Sequence, residues 1–437
     1  MRGLTTTILL LVVLAGLGGY IFFYEAGREP ADPTAKPRAF DQLASDKIQE
    51  IQIRNADGQT SRAQLENGNW QLVEPVKADA DDGVVGTVTS NLSTLEMQRV
   101  VEEKPADLKQ YGLDPPRIDV GFRLADQKEL QHLLVGDKTA TGGDVYAKRL
   151  NEPQVFLVSA FLESIFNKAP FDLRDKVILK FERDKVEGVE VAEGTATVQF
   201  SRSGNEWRIA KPMAARADYA GAEGLLTRLS STHMLTVVEE DASDLRKYGL
   251  DRPSMSATVM AGSTRATLLL GSKAKDGGFY AKDASRPTVF TVEEALATDL
   301  GKDLVDFRRK DLFDARSFSA GRLELRRGGE TILVEKSEEG GKTVWKRGGQ
   351  AVDTAKVEDV LTRFSNLQAQ MFQPAAHASL KSPALTAIVR FDENKTETVN
   401  FARSGNEVHA SRSDEPGSAR VDTAVFEEAM KAVDAMK

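Results

Sequence analysis

Hydrophobic and polar positions fall into two textures along this 437-residue chain. The first is a single uncharged run, residues 4–24, reading LTTTILLLVVLAGLGGYIFFY. At about 1.5 Å rise per residue its 21 residues span roughly 31 Å, close to the ~30 Å hydrocarbon core of a bilayer. Arg2 precedes the run and Glu25 is the first charge after it, so the positive-inside tendency leaves a short cytoplasmic tail and exports the rest. A cleaved signal peptide is the alternative, with 8–14 as its apolar region and 15–19 as a small-residue cleavage zone. The apolar run continues through Tyr20-Ile21-Phe22-Phe23-Tyr24, whose tyrosines suit a membrane interface, and this favours a retained anchor. Pro30, Pro33 and Pro37 then mark a semi-rigid spacer.

The second texture is short alternating runs interrupted by one longer helical stretch, and it occurs three times. Trp70, Trp207 and Trp345 stand 137 and 138 residues apart. Asp107-Leu108-Lys109-Gln110-Tyr111-Gly112-Leu113-Asp114 returns as Asp244-Leu245-Arg246-Lys247-Tyr248-Gly249-Leu250-Asp251, with 41 residues from tryptophan to tyrosine in both copies. Leu134-Val135-Gly136-Asp137 matches Leu269-Leu270-Gly271-Ser272, and Tyr146-Ala147-Lys148 matches Tyr280-Ala281-Lys282. A third copy keeps Leu323-Glu324-Leu325, Trp345 and Leu380-Lys381-Ser382-Pro383, but not the tyrosine, the aspartate or the Gly-Gly pair. Terminal repeats depart from pattern when they cap an array; loss of a binding site is the other explanation. The chain therefore divides into an anchor (1–24), a spacer (25–39), repeat 1 (40–178), repeat 2 (179–313) and a divergent, capping repeat 3 (314–437).

Within a copy, Asp57-Gly58 and Asn67-Gly68 separate apolar runs and predict hairpins. Helical spacing follows over 81–101, with counterparts at 219–238 and 354–371, and strands return after Pro116 at 118–124, 130–135, 145–148 and 155–158. A short helix over 160–168 closes the copy. Hairpins with packed helices give an α+β class: three tandem, mainly antiparallel sheets with a helix each, preceded by one transmembrane helix.

Composition narrows the chemistry. Lys plus Arg is 58 against 66 for Asp plus Glu, a net charge of −8 that argues against nucleic acid as partner. No cysteine is present, which excludes disulfides, thiolate metal sites and cysteine nucleophiles. No nucleophile elbow occurs, and Gly341-Lys342-Thr343 has Lys336 where a phosphate loop needs its first glycine. His132, His233, His377 and His409 have no metal-ligand spacing and read as ordinary surface or core residues. Asp79-Ala80-Asp81-Asp82 lacks the positions of a calcium loop and reads as a helix cap. No catalytic, metal or cofactor site is assigned, although a glycosidase carboxylate pair stays open. Asp172, Arg174 and Lys176, repeated as Asp306, Arg308 and Lys310, suggest an inter-repeat salt bridge or a solvated edge. The tryptophans read as core before carbohydrate platform. The Tyr-Gly-Leu-Asp-x-Pro turn has a structural explanation, a glycine at positive φ and a proline forcing extension. Its functional alternative is a contact surface in which Tyr111 and Asp114, and again Tyr248 and Asp251, are presented to a periodic ligand such as a glycan or a peptide.

The anchor, Trp70-Gln71-Leu72-Val73-Glu74-Pro75, Ala106-Asp107-Leu108 with Tyr111-Gly112-Leu113-Asp114-Pro115-Pro116, Val135-Gly136-Asp137, Tyr146-Ala147 and Asp172-Leu173-Arg174-Asp175-Lys176 together resemble a bacterial domain-of-unknown-function family. The resemblance implies a membrane-anchored envelope protein associated with gliding-motility-type or auxiliary ABC transport systems, and carries over no catalytic residues. The expectation is a non-enzymatic, single-pass protein of the inner membrane, its bulk periplasmic, acting as an interaction scaffold for an envelope or transporter partner. A glycan- or peptide-binding module is the second expectation.

Overall fold

The computed structural model describes residues 36–392 and 394–436. The uncharged run 4–24 and most of the spacer lie outside them; among the described residues no helix is long and apolar enough to cross a membrane. The chain divides into two compact units after Asp175.

The first unit holds one nine-stranded antiparallel sheet in the order β4-β3-β2-β1-β6-β7-β8-β9-β5. Its strands are β1 (Ile48–Arg54), β2 (Thr60–Glu66), β3 (Asn69–Glu74), β4 (Ala78–Asp79), β5 (Arg99–Glu102), β6 (Ile118–Leu124), β7 (Gln131–Lys138), β8 (Asp144–Arg149) and β9 (Val155–Ser159). Two four-stranded meanders thus run outward from the central β1/β6 pair, where Ile51 faces Phe122 and Ile53 faces Val120. Gly58 at φ 79° turns the first hairpin, and Asn67 with Gly68, at 52° and 86°, turns the second, as the dipeptides predict. Alternation places Ile51, Ile53, Val120, Phe122, Leu133 and Val135 on one face. Helix α1 (Asp82–Ser93) covers that face with Val85, Val88 and Leu92, and the short α2 (Phe161–Phe166) adds Phe166. Burying each such side chain contributes about 1.5–3 kcal/mol, and this, with the ladder, holds the layer of helices on the sheet.

Asp81 caps α1, its carboxylate accepting from the Gly83 and Val84 amides at 2.9 and 3.0 Å, so the acidic run is a cap. The helix is shorter than its spacing predicts. It ends at Ser93, and residues 99–102 form β5, because Val100 and Val101 gain a strand partner in β9 that local periodicity does not reveal. The same correction applies to the other copies, whose helices are Tyr219–Ser231 and Thr354–Ser365, with edge strands Thr236–Glu239 and Ala369–Gln373.

The second unit holds two more nine-stranded antiparallel sheets with the same strand order, so the α+β repeat architecture recurs three times. Each major helix again begins after an aspartate cap, Asp218 and Asp353. The third sheet ends in a longer helix, Thr423–Ala435, capped by Asp422, where repeat 1 has only the six residues of α2. Phe426, Ala429, Met430 and Val433 pack it into the core formed by Val357, Val360 and Phe364. Trp207 and Trp345 are core residues, at 4% and 0% exposure, while the half-buried Trp70 packs against its core's margin.

Candidate functional site

The repeated Tyr-Gly-Leu signature forms a strap across the sheet face opposite the helices. In repeat 1 the strap follows β5, makes one tight turn (Lys109–Tyr111) and reverses at Gly112, whose φ is 65°. Gly249 does the same in repeat 2 at 67°. Beneath the strap β7 carries a bulge: Val135 pairs with Ala147 and Lys138 with Val145, so Gly136 and Asp137 together oppose Tyr146. The Leu270–Lys273 step on the matching strand is the same bulge. A side chain on Gly136 would stand 2.1 Å from the Tyr111 carbonyl oxygen, and one on Gly271 2.0 Å from that of Tyr248. Both glycines recur because backbone lies directly on backbone there.

The tyrosines are positioned by this contact. The Tyr111 hydroxyl donates to Glu102 Oε2 at 2.7 Å and its ring tilts against Tyr146 at 4.9 Å between centroids. Tyr248 donates to Glu239 Oε2 at 2.5 Å and meets Tyr280 at 5.0 Å. Leu113, Leu134 and Val155 close a small apolar cluster under the first strap, and Leu250, Leu269 and Val289 under the second. The hydrogen bond to a carboxylate, with partial burial, pushes both phenols above their ordinary range. Lys247, and then Tyr248, hold Glu239 below its usual carboxylate range.

Asp114 and Asp251 are exposed. Within the fold each tyrosine hydroxyl is thus taken up by a glutamate of the preceding edge strand, Glu102 and Glu239, while Asp114 and Asp251 stay on the surface. Glu102 and Glu239 were not singled out from sequence; each stands nine residues before its tyrosine in both copies, a spacing that could have found them.

Repeat 3 builds the same place with different side chains. His409, on strand Glu407–Arg412, occupies the position of Tyr146 and Tyr280, and Ala402 that of the two bulge glycines. With alanine there the ladder runs without a bulge, Ala402 opposite His409 and Arg403 opposite Val408. His377, from the strap, stacks on His409 with centroids 3.7 Å apart and ring planes within 1°. Two histidines read separately as ordinary residues are thus partners; aligning Val408-His409-Ala410 with Val145-Tyr146-Ala147 exposes the relation.

The second unit also contains a polar cleft of about 920 Å³ where repeats 2 and 3 meet. Its floor is a buried charge network. Arg216 donates to Glu415 Oε1 at 2.6 Å and Asp314 Oδ1 at 2.8 Å, and Arg308 donates to Glu415 Oε2 at 2.9 Å while lying 4.0 Å over the Phe372 ring. Arg412 bonds Glu397 at 2.9 Å and grips Asp414 at 2.9 and 3.0 Å. Burial raises Glu415, but the Arg216 and Arg308 guanidiniums outweigh it and hold the carboxyl below its ordinary range. Arg308 thus makes the inter-repeat salt bridge that the alternating charges suggested. Exposed Lys310, exposed Tyr219 and half-buried Arg208 line the walls, and Lys395 reaches across to Glu206 at 3.1 Å. No group of three or more metal-ligating side chains occurs among the described residues.

A family model described as a domain of unknown function, DUF4340, matches twice, over residues 70–208 and 207–384. No curated protein matches the chain.

Proposed function

The chain belongs to the DUF4340 family of domains of unknown function, and from that premise we propose that it is a non-enzymatic scaffold that holds an envelope protein outside the cytoplasmic membrane. The observation carrying this reading is how the repeated residues are used. Tyrosine, glycine and leucine of the signature bind strap to sheet within the molecule. What the copies share is therefore architecture, and what differs between them is surface. The cleft in the second unit is the surface best suited to a partner. Its walls mix cations and acids beside the ring of Tyr219, which is 56% exposed, a lining that fits a protein segment of mixed charge. Its near-balanced charge does not favour the polyanionic backbone of a nucleic acid. Residues 4–24 supply the membrane anchor in this proposal, and association with a transport or envelope-assembly system follows from the family resemblance.

The test is crosslinked co-purification from gently solubilised membranes, comparing the parent chain with Lys310→Glu and Tyr219→Ala. The expected result is one recurrent envelope or transporter protein, recovered with the parent and depleted with both variants. Recovery of no membrane or envelope protein overturns the proposal. A glycan-binding role is the second reading, favoured by the exposed Tyr219 ring beside the cleft. It requires retention on envelope polysaccharide that falls with Tyr219→Ala, or with Tyr111→Ala and Tyr248→Ala together if the straps are the contact.

A further inference from the structure

The two straps of repeats 1 and 2 are fastened by tyrosines, and that of repeat 3 by a pair of imidazoles. His409 is 1% exposed, and neither of its ring nitrogens has a hydrogen-bond partner. His377 precedes the tight turn Ala378–Lys381 and caps it: the Ser379 amide donates into Nδ1 at 3.3 Å, and the Ser379 hydroxyl lies 2.9 Å from the same atom. A backbone N–H can donate only into a lone pair, so Nδ1 is unprotonated in this arrangement. A proton placed there would turn acceptor into donor and break the cap. A proton placed on His409 would charge a ring enclosed in the fold and stacked on its neighbour.

We propose that the third repeat carries an acid-released strap, residues 374–383, closed while both histidines are neutral and opened when the pair takes up protons. The inference is independent of the scaffold reading. It rests on the stacking, the cap and the unpartnered nitrogens. From the pair's own strand Glu407 approaches His409 Nε2 at 3.5 Å and would welcome a proton. That carboxylate is already engaged by Arg420 at 3.0 Å, the residue cross-strand from His409. On the other side stands Ala402, which offers nothing ionisable. The strap contributes Lys381, exposed and cationic, while the His377 amide donates to the neutral Ser418 hydroxyl at 3.1 Å. Arg420 and a second histidine therefore oppose one shared carboxylate.

Burial, and then the nearness of His377, hold His409 below the ordinary imidazole value near 6.5, with Glu407 pulling the other way. The sign follows. Above about 6.5 the imidazole is neutral whether the strap is open or closed, and closure is at full strength. As pH falls below that value the open state binds the proton first, and closure weakens until the closed-state value is passed. The straps of repeats 1 and 2 hold no histidine and serve as internal controls.

Hydrogen exchange of the full chain, corrected for the intrinsic pH dependence of amide exchange, tests this. The expected result between pH 7.5 and 5 is about a tenfold or greater loss of protection in 374–383. Segments 107–117 and 244–254 should hold their protection. His377→Gln keeps an acceptor at the cap but does not charge, and it should flatten most of the response; His377→Tyr with His409→Tyr should abolish it. An unchanged third strap, equal loosening of all three straps, or an undiminished acid response in a folded His377→Gln protein would each overturn the proposal. The parent comparison among the three straps decides the matter even if the double variant does not fold.

Discussion

Substituting Gly136 with alanine asks whether the strap truly lies backbone on backbone. The new methyl would stand 2.1 Å from the Tyr111 carbonyl oxygen and 3.0 Å from Leu113 Cγ, distances that no rotamer relieves. β7 cannot yield, because ladders fix it to β6 and β8 on either side. The strap must lift instead. Lifting returns Leu113 to water and partly uncovers Leu134 and Val155, which are 2%, 6% and 0% exposed. Loss of one full apolar side chain and about half of two others amounts to about 4 kcal/mol. Repeat 3 supplies the control, since Ala402 already carries a methyl at the matching place. Ala402→Gly should cost only about 0.5–1 kcal/mol, the entropic penalty of glycine in a strand. Urea unfolding of the full chain, followed by tryptophan fluorescence, reads the global effect, and hydrogen exchange over 107–117 reads the local one. A Gly136→Ala protein with an unchanged midpoint and full protection of that segment would show that the bulge and strap are not coupled as described.

Other outcomes are equally open to measurement. Glu415→Gln leaves Arg216 and Arg308 without their shared buried carboxylate and should destabilise the chain by about 3–5 kcal/mol in thermal melts, against less than 1 kcal/mol for the exposed Lys395→Ala. Because Glu415 is held below its ordinary range, its contribution should be full above about pH 4.5 and decline as pH falls through the folded value, so the parent's melting temperature should drop there more than that of Glu415→Gln. Tyr111 and Tyr248 are raised by their glutamates, so two of the seven tyrosines should ionise late in an ultraviolet absorbance titration. Their straps should stay closed below about pH 10 and loosen above it, and Glu102→Gln with Glu239→Gln should bring both transitions back to the ordinary range. Asp81→Ala should cost about 1 kcal/mol through loss of the α1 cap, with Asp81→Asn recovering most of it.

Local chemistry was legible in the sequence wherever the causes lie within a few residues. Asp57-Gly58 and Asn67-Gly68 announce their hairpins, Asp81 its cap, and Gly112 its left-handed reversal. The three-fold repetition was readable from spacing alone. What stayed hidden depends on distant partners. β5 looks like a continuation of α1 until β9 arrives to pair with it. Glu415 meets Arg216 from 199 residues away. His377 and His409 share no ligand-like spacing because an inner strand and a strap, not one helix or hairpin, bring them together. The strap site was half visible: its tyrosines stand out in the repeated signature, while their acceptors, Glu102 and Glu239, lie on an edge strand that local periodicity does not reveal.

The placement of β5 also dictates an order of assembly. Val100 pairs with Phe156, Val237 with Phe290 and Phe372 with Ala419, so each edge strand leaves the ribosome 56, 53 and 47 residues before its partner. Until that partner emerges, the helix and the beginning of the strap hang from a sheet with no far edge. No repeat can close before its last quarter is synthesised, and a chain halted within a repeat exposes a waiting valine- or phenylalanine-bearing strand. Growth of the protein is therefore quantised in whole repeats, and viable truncations should fall at the ends of sheets rather than within them.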